Sequence, residues 1–138
     1  MKRRYKEESL RWLTQAKDEF EDAEELRNRK RFYLALFHFQ QATEKAFKAY
    51  LYSKVKSAEV FRTHSVDELA KMAIETDSDF KAVASAKKLD RYYIPTRYPN
   101  GLPGGIPSRY FDDPKEAEAA MQLAINAIGL IERKLEEG

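Results

Sequence analysis

Apolar residues recur along this chain at steps of three and four, the period of an amphipathic α-helix. Leu10, Leu13, Ala16, Phe20, Ala23 and Leu26 form the first such stripe, with Lys6, Glu7, Arg11, Lys17, Asp18, Glu21 and Glu25 opposite. The stripe predicts a helix from about Tyr5 to Arg29. A basic turn, Asn28-Arg29-Lys30, follows. A second helix is expected from about Arg31 to Lys56, and its FYLALFHF opening is apolar nearly all round. That marks it as the central, most buried helix. Ala35, Ala42, Ala46 and Ala49 add a small-residue stripe on which a neighbour packs closely. Two long helices joined by a tight turn make an antiparallel hairpin.

Ser65-Val-Asp-Glu68 reads as a capping box, in which the serine accepts from the amide at Glu68 and the glutamate reaches back. It starts a third helix running through Ile74. Asp77-Ser78-Asp79 marks a break and a new cap, and a fourth helix is expected from Phe80 to about Tyr93. Residues 94–113 hold Pro95, Pro99, Pro103 and Pro107 with Gly101, Gly104 and Gly105. That composition predicts a long non-helical excursion. Tyr98, Leu102, Ile106, Tyr110 and Phe111 give it enough apolar surface to lie against the bundle. Asp113-Pro114-Lys115-Glu116 opens the last helix, with Asp as N-cap and Pro at the first helical position. Its buried stripe is Ala117, Ala120, Ala124, Ile128, Ile131 and Leu135. The expectation is an all-α protein. It is an up-and-down bundle of four main helices plus a short helix, with a long Pro/Gly-rich loop before the last helix, forming a single domain over residues 1–138.

Composition narrows the function classes. With 25 Lys+Arg against 23 Asp+Glu, the net charge is only +2, so nucleic acid would have to be met by a local patch rather than a global field. The absence of cysteine removes disulfides, thiol nucleophiles and thiolate metal sites, and fits a reducing cytoplasm. MKRRYKEESL lacks the apolar stretch of a secretory signal, and no apolar run nears the ~20 residues of a membrane span. With two histidines far apart there is no metal-ligand cluster, and no P-loop or serine nucleophile motif is present, so no cofactor is expected.

The candidate chemistry lies on the second helix and in two loops. Gln41, Lys45 and Lys48 share one helix face, and Glu44 with Lys48 is an i,i+4 pair that reads first as a solvated ion pair. Gln40 and Gln41 sit mid-helix, where a buried amide needs a partner. Arg31 and His38 lie two turns apart on one face. Together they could handle a phosphodiester, the imidazole moving a proton and the guanidinium holding the anion, or be a core histidine with an arginine at the helix mouth. His64, beside Arg62 and just before the Ser65 cap, could join an anion site at a helix entrance, or equally be part of the local turn. Arg97 stands between Thr96 and Tyr98 with Pro95 and Pro99 outside. There it could fork onto a phosphate while Tyr98 stacks on a base, or pair with a helix carboxylate while Tyr92, Tyr93 and Tyr98 pin the loop.

QQATEKAFKAYL (residues 40–51), THSVDEL (63–69) and YIPTRYP (93–99), in this order and spacing, resemble the HEPN domain family of small prokaryotic proteins. The resemblance runs from about Leu10 to Glu132. It implies a four-helix bundle that commonly pairs as a homodimer and is often encoded beside a minimal nucleotidyltransferase, in toxin–antitoxin-like pairs. It also implies either nucleotide or nucleic-acid binding or metal-independent ribonuclease activity. Carried over by residue, it points to Gln41, Glu44, Lys45 and Lys48 on the helix, to His64 and Ser65 at the turn, and to Tyr93, Arg97, Tyr98 and Pro99 in the loop. Ribonuclease members carry an arginine followed four to six residues later by histidine, late in the domain. No histidine follows His64 here, and the nearest such spacing is Arg31 to His38. The reading is therefore a dimeric nucleotide- or RNA-binding module acting with a nucleotidyltransferase partner, using Gln41, Lys45, Lys48, His64, Arg97 and Tyr98. The alternative is a ribonuclease toxin whose Arg/His site, with Arg31 and His38 as candidates, is assembled at a dimer interface.

Overall fold

The computed structural model describes residues 2–137; residues 1 and 138, the ends of the span expected as one domain, lie outside the described residues. Helices α1 (Lys2–Asn28) and α2 (Phe32–Val55) form the antiparallel hairpin. Lys30 makes the turn possible by taking a left-handed φ of 62°, and Lys56 closes α2 the same way, at φ 57°. A 3₁₀ turn (Ala58–Phe61) leads to α3 (Val66–Thr76). A 3₁₀ span follows at Ser78–Tyr92, then a 3₁₀ turn at Pro99–Gly101 and a single α-turn, α4 (Pro107–Tyr110). Helix α5 (Pro114–Glu137) is the last element among the described residues. Among the described residues there is no strand, and the fold is all-α.

α2 is the axis. Leu36, Phe39, Phe47, Tyr50 and Leu51 are fully enclosed or nearly so, and the alanine stripe at 35, 42, 46 and 49 is buried throughout. One cluster joins Phe47, Tyr50 and Leu51 to Leu69, Phe80 and Ile131; the other joins Phe32, Leu36 and Phe39 to Ala23, Leu89, Tyr92, Phe111 and Ala120. The stripe expected on α1 is buried or half-buried from Leu13 onward, but at its start Ser9 is buried and Leu10 is 45% exposed. The stripe slips by one residue there.

Three local expectations change. The fourth helix is 3₁₀ in character and breaks at Val83, whose φ and ψ of −118° and 17° leave the helical region. Within the excursion, Pro99 and Pro107 each stand at the start of a short helical turn, where the missing N–H and fixed φ of proline are no handicap. The capping box is completed by a relay: Ser65 Oγ accepts from the Glu68 amide (3.2 Å), while the Glu68 carboxylate accepts from Thr63 Oγ1 (2.6 Å), which itself accepts from the Ser65 amide (3.1 Å).

The excursion is pinned at both ends. Thr96 is buried and donates to the Tyr92 carbonyl (2.5 Å); Phe111 packs edge-on to Tyr92, with ring centroids 5.9 Å apart. Tyr92 donates to Glu116 of α5 at 2.8 Å, and burial together with that carboxylate pushes its phenol up to about 12. Gly104 takes a φ of +80°, which a side chain would strain.

Candidate functional site

The polar residues of α2 join groups from four segments into a continuous network. Gln40 is fully buried, and its Nε2 donates to the His64 carbonyl (3.1 Å) and toward Asp90 Oδ1 (3.5 Å). Its Oε1 accepts from Gln41 Nε2 (2.7 Å), and Gln41 Oε1 accepts from Lys45 (3.4 Å). Lys45 pairs with Glu19 of α1 at 2.9 Å, and the other oxygen of Glu19 lies 3.1 Å from His38 Nδ1. Burial opposes charge on Glu19, but His38 and Lys45 outweigh it and hold the carboxyl below its ordinary value of 4.5.

Asp90 is the second hub. It accepts from Ser65 Oγ (3.0 Å), the Val66 amide (2.8 Å) and the Asp67 amide (2.9 Å), so it caps α3 from a segment 25 residues downstream. This fixes the 63–65 turn over α2 and presents His64, whose Nδ1 lies 3.3 Å from Glu44 Oε2. The same oxygen accepts from Lys48 at 2.9 Å. Here the solvated-pair expectation fails: Lys48 and Glu44 side chains are 2% and 4% exposed. Phe61, whose carbonyl also accepts from Lys48 (3.3 Å), and Trp12, with its ring centroid 5.9 Å from the Lys48 ammonium, close over the pair. Lys48 thus points into the protein and is spent on internal partners.

Above the network lies an exposed surface of rings and one cation. The His64 ring stacks on Tyr93 (centroids 5.4 Å apart, planes at 14°), and Tyr93 lies 6.5 Å from Phe37. The Arg97 guanidinium sits 4.7 Å from the Tyr93 centroid, 4.9 Å from Phe37 and 5.0 Å from Tyr98. Its Nε donates to the Tyr93 carbonyl (2.9 Å), and it forms no ion pair with any carboxylate among the described residues. Three rings hold a cation that is itself exposed. Beside it, Thr63, His64, Ser65, Asp90 and Tyr93 line a shallow cleft of about 340 Å³.

The structure thus gathers His64, Arg97, Tyr98 and Tyr93 on one surface. Gln41 and Lys45 lie beneath and beside it, tied to Gln40 and Glu19. Arg31 stands apart at the mouth of α2, over the Tyr33 ring at 5.8 Å, and shares no partner with His38. Sequence reasoning missed Asp90, Glu19 and Phe37. The buried amides Gln40 and Gln41 signalled that partners existed without saying which, and Phe37 was hidden in a run that reads as core. No group of three His, Asp or Glu side chains able to hold a metal occurs among the described residues.

These features define a helical bundle whose central helix is joined by a polar network to α1, to the 61–65 turn and to Asp90, with Arg97 of the proline-rich segment on the rings above it. The model of the HEPN domain matches residues 9–134, nearly the whole chain, and the chain belongs to that family. Its structure is similar to that of TT1696 from Thermus thermophilus, at 33% identity and a TM-score of 0.80, covering 91% of this chain and 97% of the other. It also shares the fold of ST0689, an archaeal HEPN homologue, at 24% identity and a TM-score of 0.71, covering 92% and 97% of the two chains. No curated protein matches the chain. No helix among the described residues is long and apolar enough to cross a membrane.

Proposed function

We propose that this HEPN domain is a dimeric nucleotide- or RNA-binding module that acts beside a nucleotidyltransferase partner in a toxin–antitoxin-like pair. The observation that carries the binding reading is Arg97, held over three aromatic rings with no carboxylate to neutralise it. A guanidinium so placed meets a phosphate with little ordering cost, and the exposed ring of Tyr98 offers a face to a base. His64 adds a nitrogen-bearing ring on the same surface, next to the cleft. Gln41 and Lys45 support it from below through Gln40 and Glu19.

The test is a titration of nucleotides and short RNAs against the wild-type chain and Arg97→Ala, with the mass of the titrated species read by light scattering. The expected result is a loss of affinity of about 10-fold or more in Arg97→Ala, the weight of one charge-assisted contact. Unchanged affinity would remove Arg97 from the account, and a monomer mass throughout would remove the dimer. One observation favours the second reading, metal-independent RNA cleavage: Glu19 holds His38 by Nδ1, the arrangement that orients an imidazole for proton transfer. Cleavage of structured RNA without metal that persists in both His38→Ala and His64→Ala would sink it.

A further inference from the structure

At the opposite end of α2, 17 residues past Phe37 and so about 25 Å along the helix, a second cavity opens where α1 begins and α2 and α5 finish. It measures about 260 Å³, and its lining includes Lys6 and Ser9 from α1, Ser53, Lys54 and Lys56 from the end of α2, and Lys134 from α5. Four ammonium-bearing side chains thus border one space that no carboxylate lines. Lys134 is already held by Asp77 and Asp79. Lys54 lies over the Tyr50 ring at 5.9 Å and in the field of Asp77, and Lys56 lies over the Tyr5 ring at 5.7 Å; neither they nor Lys6 form an ion pair among the described residues. Unpaired like charges on one concave surface repel, and a counter-charge relieves them.

A second observation is independent of the lysines. Ser9 is 1% exposed, lines this cavity, and its Oγ has no hydrogen-bond partner. A buried unpaired hydroxyl is costly and rare in folded chains, and asks for a partner of its own. It stands at the point where the apolar stripe of α1 slips, with Leu10 turned outward in its place.

We propose that this cavity binds the phosphate group of a small phosphorylated molecule, with Lys6, Lys54 and Lys56 as counter-charges and the Ser9 hydroxyl as a donor on its inner wall. Leu10, Leu135 and the ring of Tyr5 supply apolar surface for a short organic body. The volume falls below the ~300 Å³ at which drug-sized sites begin, so the cavity suits a phosphate carrying a few carbons better than a nucleotide. The site stands apart from Arg97, and neither reading depends on the other.

Calorimetric titration tests it, run on the Arg97→Ala chain so that the aromatic surface is not counted, in chloride buffer of matched ionic strength. The probes are inorganic phosphate, glycerol 3-phosphate and adenosine monophosphate. Saturable binding is expected, tightest for glycerol 3-phosphate. The pair Lys54→Gln and Lys56→Asn should weaken it by about tenfold or more, because two charge-assisted contacts are lost; asparagine is chosen because it tolerates the left-handed backbone at residue 56. Ser9→Ala, which keeps helix propensity and removes only the oxygen, should weaken it by about threefold. Far-UV circular dichroism checks that each variant is folded, and Lys54→Gln alone serves if the pair is not. No saturable binding of any probe, or binding unchanged in the folded lysine variants, overturns the proposal; so does tighter binding of adenosine monophosphate than of glycerol 3-phosphate.

Discussion

Lys48 and Glu44 are spaced as a surface pair, yet both are sealed in the interior. Helical spacing tells only that two side chains meet, not what covers them. The cover comes from Trp12 and Phe61, stacked on each other at 4.4 Å from segments far apart in sequence. A buried ion pair gains little over apolar packing, and Glu44 Oε1 is still without a partner here. Removing one member leaves a bare buried charge. Lys48→Ala should therefore cost about 3–5 kcal/mol in urea unfolding, whereas the double change Lys48→Met with Glu44→Leu should fall within about 2 kcal/mol of wild type. A double variant as unstable as Lys48→Ala would show that the pair does more than neutralise itself. Arg97 is marked in the sequence by its proline brackets and tyrosine neighbours, and in the structure its neighbours are rings and a carbonyl, with no carboxylate partner among the described residues.

Among the elements, helices with a clear apolar stripe were the readable ones. α1, α2 and α5 lie where their periodicity puts them, and α3 begins at the serine that its capping pattern names. The ordinary helix expected from Phe80 to about Tyr93 is a 3₁₀ span over Ser78–Tyr92, because nothing in the local composition announces 3₁₀ winding or the break at Val83. The proline-rich excursion was legible as a break but not as a strap with two helical turns, since those depend on what it packs against. Asp90 escaped notice for the same reason. Its carboxylate satisfies two amides and a hydroxyl at the start of α3 from a segment that follows it in the chain. Asp90→Ala should lower stability by about 2–4 kcal/mol, the sum of a lost cap and amides left unpaired near the core. Asp90→Asn, which keeps an acceptor oxygen, should recover part of that. Amide hydrogen exchange at Val66 and Asp67 measures the local effect; unchanged protection in Asp90→Ala would refute the capping role.

For the molecule as a whole, the α1–α2 hairpin is tied across its polar side by Glu19, between Lys45 and His38. A carboxylate held below its ordinary value in the folded chain contributes stability above the unfolded value and loses it as the pH falls through the folded one. The contribution of Glu19 is thus present at neutral pH, begins to fall near the ordinary value of 4.5 and is lost as the pH drops through the lower folded value. Glu19→Gln should be less stable than wild type at pH 7 by about 1–2 kcal/mol, and the gap should narrow on going to about pH 3. Thermal melts across that range decide it, and a gap independent of pH would place the role of Glu19 in packing rather than charge. The hairpin and the bundle class were open to reading because they rest on local periodicity. The network that joins the elements was not, because each of its bonds spans segments that only the folded chain brings together.

The dependence of α3 on Asp90 also orders events in time. While the chain is being made, every residue of the α1–α2 hairpin is added before residue 90 exists, and the hairpin closes on its own local contacts without it. The first amides of α3 must wait, bonded to water, until some two dozen further residues have been added and the distant carboxylate arrives. Synthesis from one end to the other therefore leaves the entrance to α3, with the imidazole of residue 64 beside it, to take shape after the hairpin that precedes it.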